Sequence, residues 1–455
     1  MDDAKSSFKV IIIGAGLSGC LLANGLLNKG IDLVLYERLE RHSKREGYQI
    51  RLGAPALKGM RECLTPEQVS AITAKFGRAG GSLNRAPVWY DHRFRELLDP
   101  SRFEAYHKSA PISRVVLRDA LAEPLFDAGK LRYGFEFRYY EIIGQGTEHE
   151  CVRVVFADGS FDEGDLVIGA DGSHSRINVQ LGLNNIRQIK THMSMVAKGN
   201  ISENKYHSMS KRLQEKAVLA FAENKTLFFC VYLPEDRSGS YDDSMSSTMF
   251  GLHVPVEMCP PDLGQRTAAE KWDFISLVLR SWAKPYQEII DLVKGADIYV
   301  YQARASERPP TDWRRNMRAH SNDDRGHPRV WLLGDAMHAM LPTRGMGGNQ
   351  AMRDTATALP LIERLAVMSN PGVRPTTEDI SRACEEYEAE MIPRSFSWVQ
   401  KSGGKTVVPL DGSHFWGRVA FFFFAQVLRV ASLYKIVMGY FWKDTVDDDA
   451  PELRT

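Results

Sequence analysis

Gly14, Gly16 and Gly19 stand at the spacing that lets a backbone close on a pyrophosphate. The first two allow a tight turn and a close approach. The third lets a helix pack against a strand, so that the helix start faces the phosphates. Glu37, eighteen residues beyond Gly19 and followed by Arg38, is a carboxylate placed to accept both hydroxyls of a ribose. A carboxylate there repels a 2′-phosphate, so the segment suits the plain ribose of FAD or NAD. Far downstream, Asp335 ends an apolar run and can hold a polyol hydroxyl. Beyond it, Pro342, Gly345, Gly347, Gly348 and Asn349 make a loop whose amides lead into a helix and can stabilise negative charge on a ring carbonyl.

The elements that must position these residues are legible around them. Phe8 to Ile13 is an apolar, β-branched run that reads as a buried parallel strand. Leu17, Leu21, Leu22, Leu26 and Leu27 recur at helical spacing, and Ile31 to Tyr36 is a second strand, completing a βαβ unit. Val330 to Leu333 reads as another buried strand, and Gln350 onward as a helix with Ala351, Thr355, Ala358 and Leu359 on one face.

The order GDAMHAMLPTRGMGGNQAMRD, from Gly334 to Asp354, resembles the class A flavoprotein monooxygenases, the family of p-hydroxybenzoate and salicylate hydroxylases. A third element of that family, a D-G motif, is matched by Gly169-Ala170-Asp171-Gly172 after the strand Asp165 to Ile168. The resemblance implies non-covalent FAD, with Asp335 on the ribityl chain, Gly347, Gly348 and Asn349 along the flavin edge, and Asp171 in a segment serving FAD and a transient nicotinamide. It also implies an arginine at a helix start, for which Arg114 fits better than Arg118, read as a solvated helix face. Gln49 and Arg51 fall where the family passes its chain beside the flavin. Gln49 can contact it through backbone or side chain, and Arg51 can face substrate or pair with Glu46. In family terms Lys198 stands where an arginine is common and Tyr232 matches a tyrosine. Core or surface roles for both remain open beside catalysis.

By the same resemblance, the fold expected is α/β: a Rossmann-like FAD-binding domain of the glutathione-reductase type with an inserted β-rich substrate domain and a C-terminal helical tail. We expect the FAD-binding part at 1–75, 105–182 and 325–372, the substrate part at 76–104 and 183–324, and the helical region at 373–455. Within the substrate part, Ala217 to Phe221, Thr226 to Leu233 and Ile298 to Ala303 read as strands, with a polar loop from Pro234 to Ser247. In the tail, Glu378 to Glu390 reads as a helix. Phe415 to Trp442 carries Arg418, Arg429 and Lys435, and its longest uncharged run is too short for a membrane span. It reads as a helix packed on the body or covering the substrate mouth, with an interfacial membrane contact as the other reading.

The 455 residues balance 58 basic against 57 acidic side chains for a net charge of +1, so no global field invites nucleic acid. Six cysteines without CxxC spacing argue against a disulfide framework or a zinc site, and MDDAKSSFKV lacks the pattern of a signal peptide. We expect a cytoplasmic protein, membrane-associated only through the tail. No second GxGxxG is present, and the resemblance implies NAD(P)H as a passing reductant and O2 as co-substrate. It further implies a flavin C4a-hydroperoxide that hydroxylates or epoxidises a hydrophobic aromatic or polycyclic small molecule. The alternatives are a halogenase or isoprenoid reductase of the same fold, or a non-catalytic flavin or lipid carrier.

Overall fold

The computed structural model describes residues 8–41, 43, 49–76, 87–99, 110–233, 246–320, 324–369, 374–403 and 411–441. Gly47, Tyr48 and Glu46, and the stretch 234–245 expected as a loop, lie outside these residues.

Two sheets organise the chain. The first is a five-stranded parallel sheet in the order Val330–Leu332, Leu166–Gly169, Lys9–Ile13, Asp32–Glu37, Leu131–Tyr133. Its central strands are apolar because both faces are covered: Val10 to Ile12 and Leu166 to Ile168 are at most 1% exposed. Helices Leu17–Asn28 and Gly347–Met368 pack there, and the latter starts at Gly347 rather than Gln350. Gly14, Glu37, Asp171 and Asp335 all fall at or just past the carboxyl ends of its strands, the edge where open α/β sheets bind ligands.

The second sheet has seven strands, in the order Ile298–Tyr301, His192–Asn200, Ser247–Pro255, Lys225–Tyr232, Val218–Ala222, Val88–Tyr90, Glu96–Leu98. Every pairing is antiparallel except that of Val218–Ala222 with Val88–Tyr90. Side chains alternate across it. Phe250, Leu252 and Val254 share one core with Leu227, Phe229, Trp272, Tyr286 and Ile289, the last three from helices Ala268–Val278 and Lys284–Val293. The opposite face turns toward the first sheet.

A two-stranded ribbon, Gln49–Leu52 with Ala110–Ser113, runs at the junction, and the helix Arg114–Asp127 begins directly after it. The tail holds two long helices, Thr377–Lys401 and Phe415–Phe441. The second docks by burying Phe421 against Trp89 and Phe221, with the Trp89 and Phe424 rings stacked at 6.0 Å. Its start is tied to the sheet by Gly412 N–H donating to the Phe221 carbonyl at 3.0 Å.

Candidate functional site: a cleft between two sheets

A cavity of ≈ 1630 Å³ runs from the carboxyl edge of the parallel sheet to the inner face of the seven-stranded one. That exceeds the roughly 300–1,000 Å³ that receives one drug-sized ligand, so a dinucleotide and a second molecule fit together.

At the nucleotide end, Gly14 has φ +108°, and a Cβ there would strike the Ala170 carbonyl. A Cβ on Gly19 would strike the Gly14 carbonyl, so this glycine serves helix–strand contact and does not line the cavity. Gly16 has open space where its side chain would be, on the cavity wall at the start of the helix Leu17–Asn28. Glu37 is fixed by the Ala15 and Leu39 amides, which donate to its two carboxylate oxygens at 3.0 Å each. Arg38 lines the cavity beside it.

Two carboxylates are enclosed in the wall. One oxygen of Asp171 accepts from the Arg176 amide at 2.9 Å, while Oδ1 is buried with no hydrogen-bond partner among the described residues. Burial pushes its carboxyl above the ordinary aspartate range, against hydrogen bonds from Ser175 and nearby amides. Burial likewise raises Asp335, opposed by His338 and Arg114. An orphaned buried oxygen and a raised, cavity-facing carboxyl are what a ligand rich in hydroxyl groups satisfies. With the open Gly16 cradle, they fit the ADP and ribityl parts of FAD.

The junction is built around Asn349. Its Oδ1 accepts from Gly53 N–H at 2.7 Å, and its Nδ2 donates to the Arg51 and Gly345 carbonyls at 2.8 and 3.0 Å. The side chain therefore clamps the Gln49–Gly53 strip to the Pro342–Gly348 loop and the N-terminus of a 22-residue helix. The loop is latched from behind: Thr343 Oγ1 donates to the Ser402 carbonyl at 2.7 Å, and Gly345 takes φ +63°. Beneath it Asp354, fully buried, accepts from Gly334 N–H at 2.9 Å and from Arg394 at 2.8 Å, and its Oδ2 lies 2.7 Å from His338 Nε2. His338 thus orders the loop from within the core and does not line the cavity.

Gln49, Arg51, Arg114, Pro342, Gly345, Gly347 and Gly348 all line the cavity. Arg118, expected to face solvent, lines it as well, with its guanidinium paired to Asp119. Burial lowers the Arg51 guanidinium to about 10, with Cys230 pulling the other way. Cys230 Sγ donates to Gln49 Oε1 at 2.8 Å and so joins the strip to the seven-stranded sheet.

The two residues matched to family catalytic positions stand apart from this cavity. Lys198 is exposed, and Tyr232 is 2% exposed with its hydroxyl donating to the Lys75 carbonyl at 2.9 Å. The sheet instead presents Val196, Phe228, Met249 and His253 to the cavity. The strand carrying Met249 and His253 is not legible in the sequence because STMFGLHVP mixes polar and apolar residues on both faces and follows a polar stretch. Its alternation becomes visible only once its two neighbours are known.

The family described as FAD binding domain matches residues 148–368. The FAD-dependent monooxygenase DEP2 of Fusarium langsethiae is 26% identical over 88% of this chain and 72% of its own length. An FAD-dependent urate hydroxylase of Klebsiella pneumoniae is 28% identical over 87% of this chain and 88% of its own. The solved structure of Klebsiella pneumoniae HpxO with FAD and uric acid superposes with a TM-score of 0.67 at 24% identity, covering 96% of both chains. That likeness is one of fold. Motif order and relatives agree: the chain carries an FAD binding domain and is similar to the FAD-dependent monooxygenases, as a flavin-dependent oxidoreductase of the class A type would be.

Proposed function

We propose that the protein uses NAD(P)H and O2 to place one oxygen atom on a hydrophobic aromatic or polycyclic small molecule. In the balanced reaction the substrate C–H becomes C–OH, NAD(P)H and a proton are consumed, and the second oxygen atom leaves as water. The observation carrying this reading is the shared cavity, polar along the parallel sheet and apolar under the seven-stranded one, with the Asn349 clamp between. The chemistry bound FAD supplies is transfer of oxygen from O2 at the expense of the nicotinamide.

The chain's own part is binding, orientation and exclusion of water. Glu37 takes the ribose hydroxyls, the Gly14–Gly16 turn takes the pyrophosphate, and Asp335 takes the ribityl chain. Arg38, Arg114 and Asp171 complete the grip on the polar half of the cofactor. Gln49 and Arg51, with Pro342, Gly345, Gly347 and Gly348, would hold the flavin ring between them. The helix dipole at Gly347 favours negative charge on the ring carbonyl. Trp89, Leu219, Phe228 and Met249 keep water from the substrate. Lys198 and Tyr232 act, in this reading, through the shape of the sheet.

Purified protein is expected to be yellow, with FAD near one equivalent, and to oxidise NAD(P)H faster when an apolar polycyclic phenol is added. Colourless protein that takes up no FAD contradicts this.

A second proposal concerns the tail helix. It exposes Phe415, Trp416, Phe422, Phe423, Val427 and Val430, each at least 60% exposed, and its 27 residues hold three basic side chains and no acid. We propose that this face rests on an anionic lipid surface. No helix among the described residues is long and apolar enough to cross a membrane.

A further inference from the structure

The register of the seven-stranded sheet sorts its cavity face into three rows. Met249 and Cys230 stand abreast in the row nearest the Gln49–Gly53 strip, with Lys198 paired to Met249 at its exposed end, off the cavity. The middle row runs Val196, Gly251, Phe228, Leu219, Trp89, and the far row Ser194, His253, Thr226. From Cys230 to Thr226 is four residues, or about 13 Å of strand at roughly 3.3 Å per residue. That matches the long axis of three fused rings.

The middle row is apolar with a hollow at its centre. A Cβ on Gly251 would have only Phe228 within 4 Å, at 3.8 Å, so a flat ring can lie across this position. The far row is polar. His253 Nδ1 lies 2.8 Å from Ser194 Oγ, and among the described residues no protein group hydrogen-bonds its Nε2. His253 borders the cavity, as does Thr226. Burial, with His192 adding to it, pushes the imidazole down to about 4, so it is neutral near pH 7. The Ser194 hydroxyl can donate or accept, which lets the ring present either a donor or an acceptor at Nε2.

We propose that His253, oriented by Ser194, is the specificity-determining residue of the substrate half. It hydrogen-bonds a neutral hydroxyl or ketone oxygen at the end of an elongated fused-ring substrate remote from the flavin. The assignment rests on the oxygenase reading for where the flavin lies. It selects the substrate class: a polar oxygen about 13 Å from the oxidised end, with an apolar ring system between.

The test is calorimetric titration of the FAD-loaded protein with 2-hydroxyfluorene and with fluorene, which differ by one terminal hydroxyl. The wild type is expected to prefer 2-hydroxyfluorene by about tenfold, the worth of one buried hydrogen bond. His253→Leu abolishes the preference and leaves fluorene binding within about threefold, and His253→Gln, which keeps a polar atom near Nε2, restores it. Flavin absorbance stays unchanged in both variants, which separates the effect from loss of fold. No preference in the wild type overturns the proposal, as does a preference that survives His253→Leu or a parallel loss for both ligands. The titration needs no turnover, so failure of NAD(P)H oxidation would sink the proposed reaction and leave the ligand preference standing or falling by itself.

Discussion

Asp354 and Asp335 are both enclosed carboxylates, yet their surroundings divide their work. Burial alone would raise Asp354, but His338 and Arg394 outweigh it and hold the carboxyl below its ordinary range. A depressed folded-state value contributes stability above the unfolded value of about 3.9, and that stability is lost as the pH falls through the folded value. Asp354→Asn should therefore cost about 3–5 kcal/mol at neutral pH, because it removes the buried carboxylate that His338 and Arg394 share and leaves Arg394 with Glu390 as its charge partner. The difference from wild type should shrink below about pH 4, as denaturant unfolding across pH would show. Asp335 feels His338 and Arg114 only at a distance, too weakly to offset its burial, and it faces the cavity. Asp335→Ala should leave the unfolding midpoint nearly unchanged and weaken FAD binding about tenfold or more, measured by flavin fluorescence titration. Residues of this kind were readable because backbone demands fix their types: a glycine at φ +108°, an acid at a strand end. His253 was not readable, since a histidine in an apolar strand has no local mark of facing a cavity.

The helices and strands at the junction are joined by few but specific contacts. Phe421 is 1% exposed although its neighbours Phe422 and Phe423 are exposed, so this one ring carries much of the docking of the tail helix. Phe421→Ala should cost about 3–5 kcal/mol of local packing and open 415–441 to limited proteolysis before the rest of the chain unfolds. An unchanged cleavage pattern would mean that other contacts hold the helix. The βαβ unit and the strand before Asp335 were legible from their apolar runs, because parallel strands buried on both faces leave that signature. Helix bounds were less so: Glu378 to Glu390 proved to be half of Thr377–Lys401, whose continuation past Pro393 is held by burial of Phe396 and Val399. The strand Ser247–Pro255 was missed for the same reason that His253 was, as tertiary pairing and not local pattern defines its two faces.

Taken whole, the molecule joins a polar cleft along one sheet to an apolar chamber under another, with an aromatic, basic helix packed through Phe421 on Trp89 and Phe221. If that helix lies on lipid, the protein should co-sediment with phosphatidylglycerol vesicles at low salt and be released when salt is raised. The triple substitution Phe422→Ser, Phe423→Ser and Val427→Ser should abolish sedimentation while NAD(P)H oxidation in solution persists. The cofactor half of this architecture was open to sequence reading and the substrate half was not, because phosphate binding constrains backbone whereas a ring system constrains only shape. Oxygen insertion can be followed isotopically. Its most direct test supplies purified protein, FAD, NAD(P)H and a polycyclic phenol under oxygen-18 gas and reads the product mass. One oxygen-18 atom in the product, none of it from water, is the result expected; nicotinamide consumed with no label in any organic product would contradict the account.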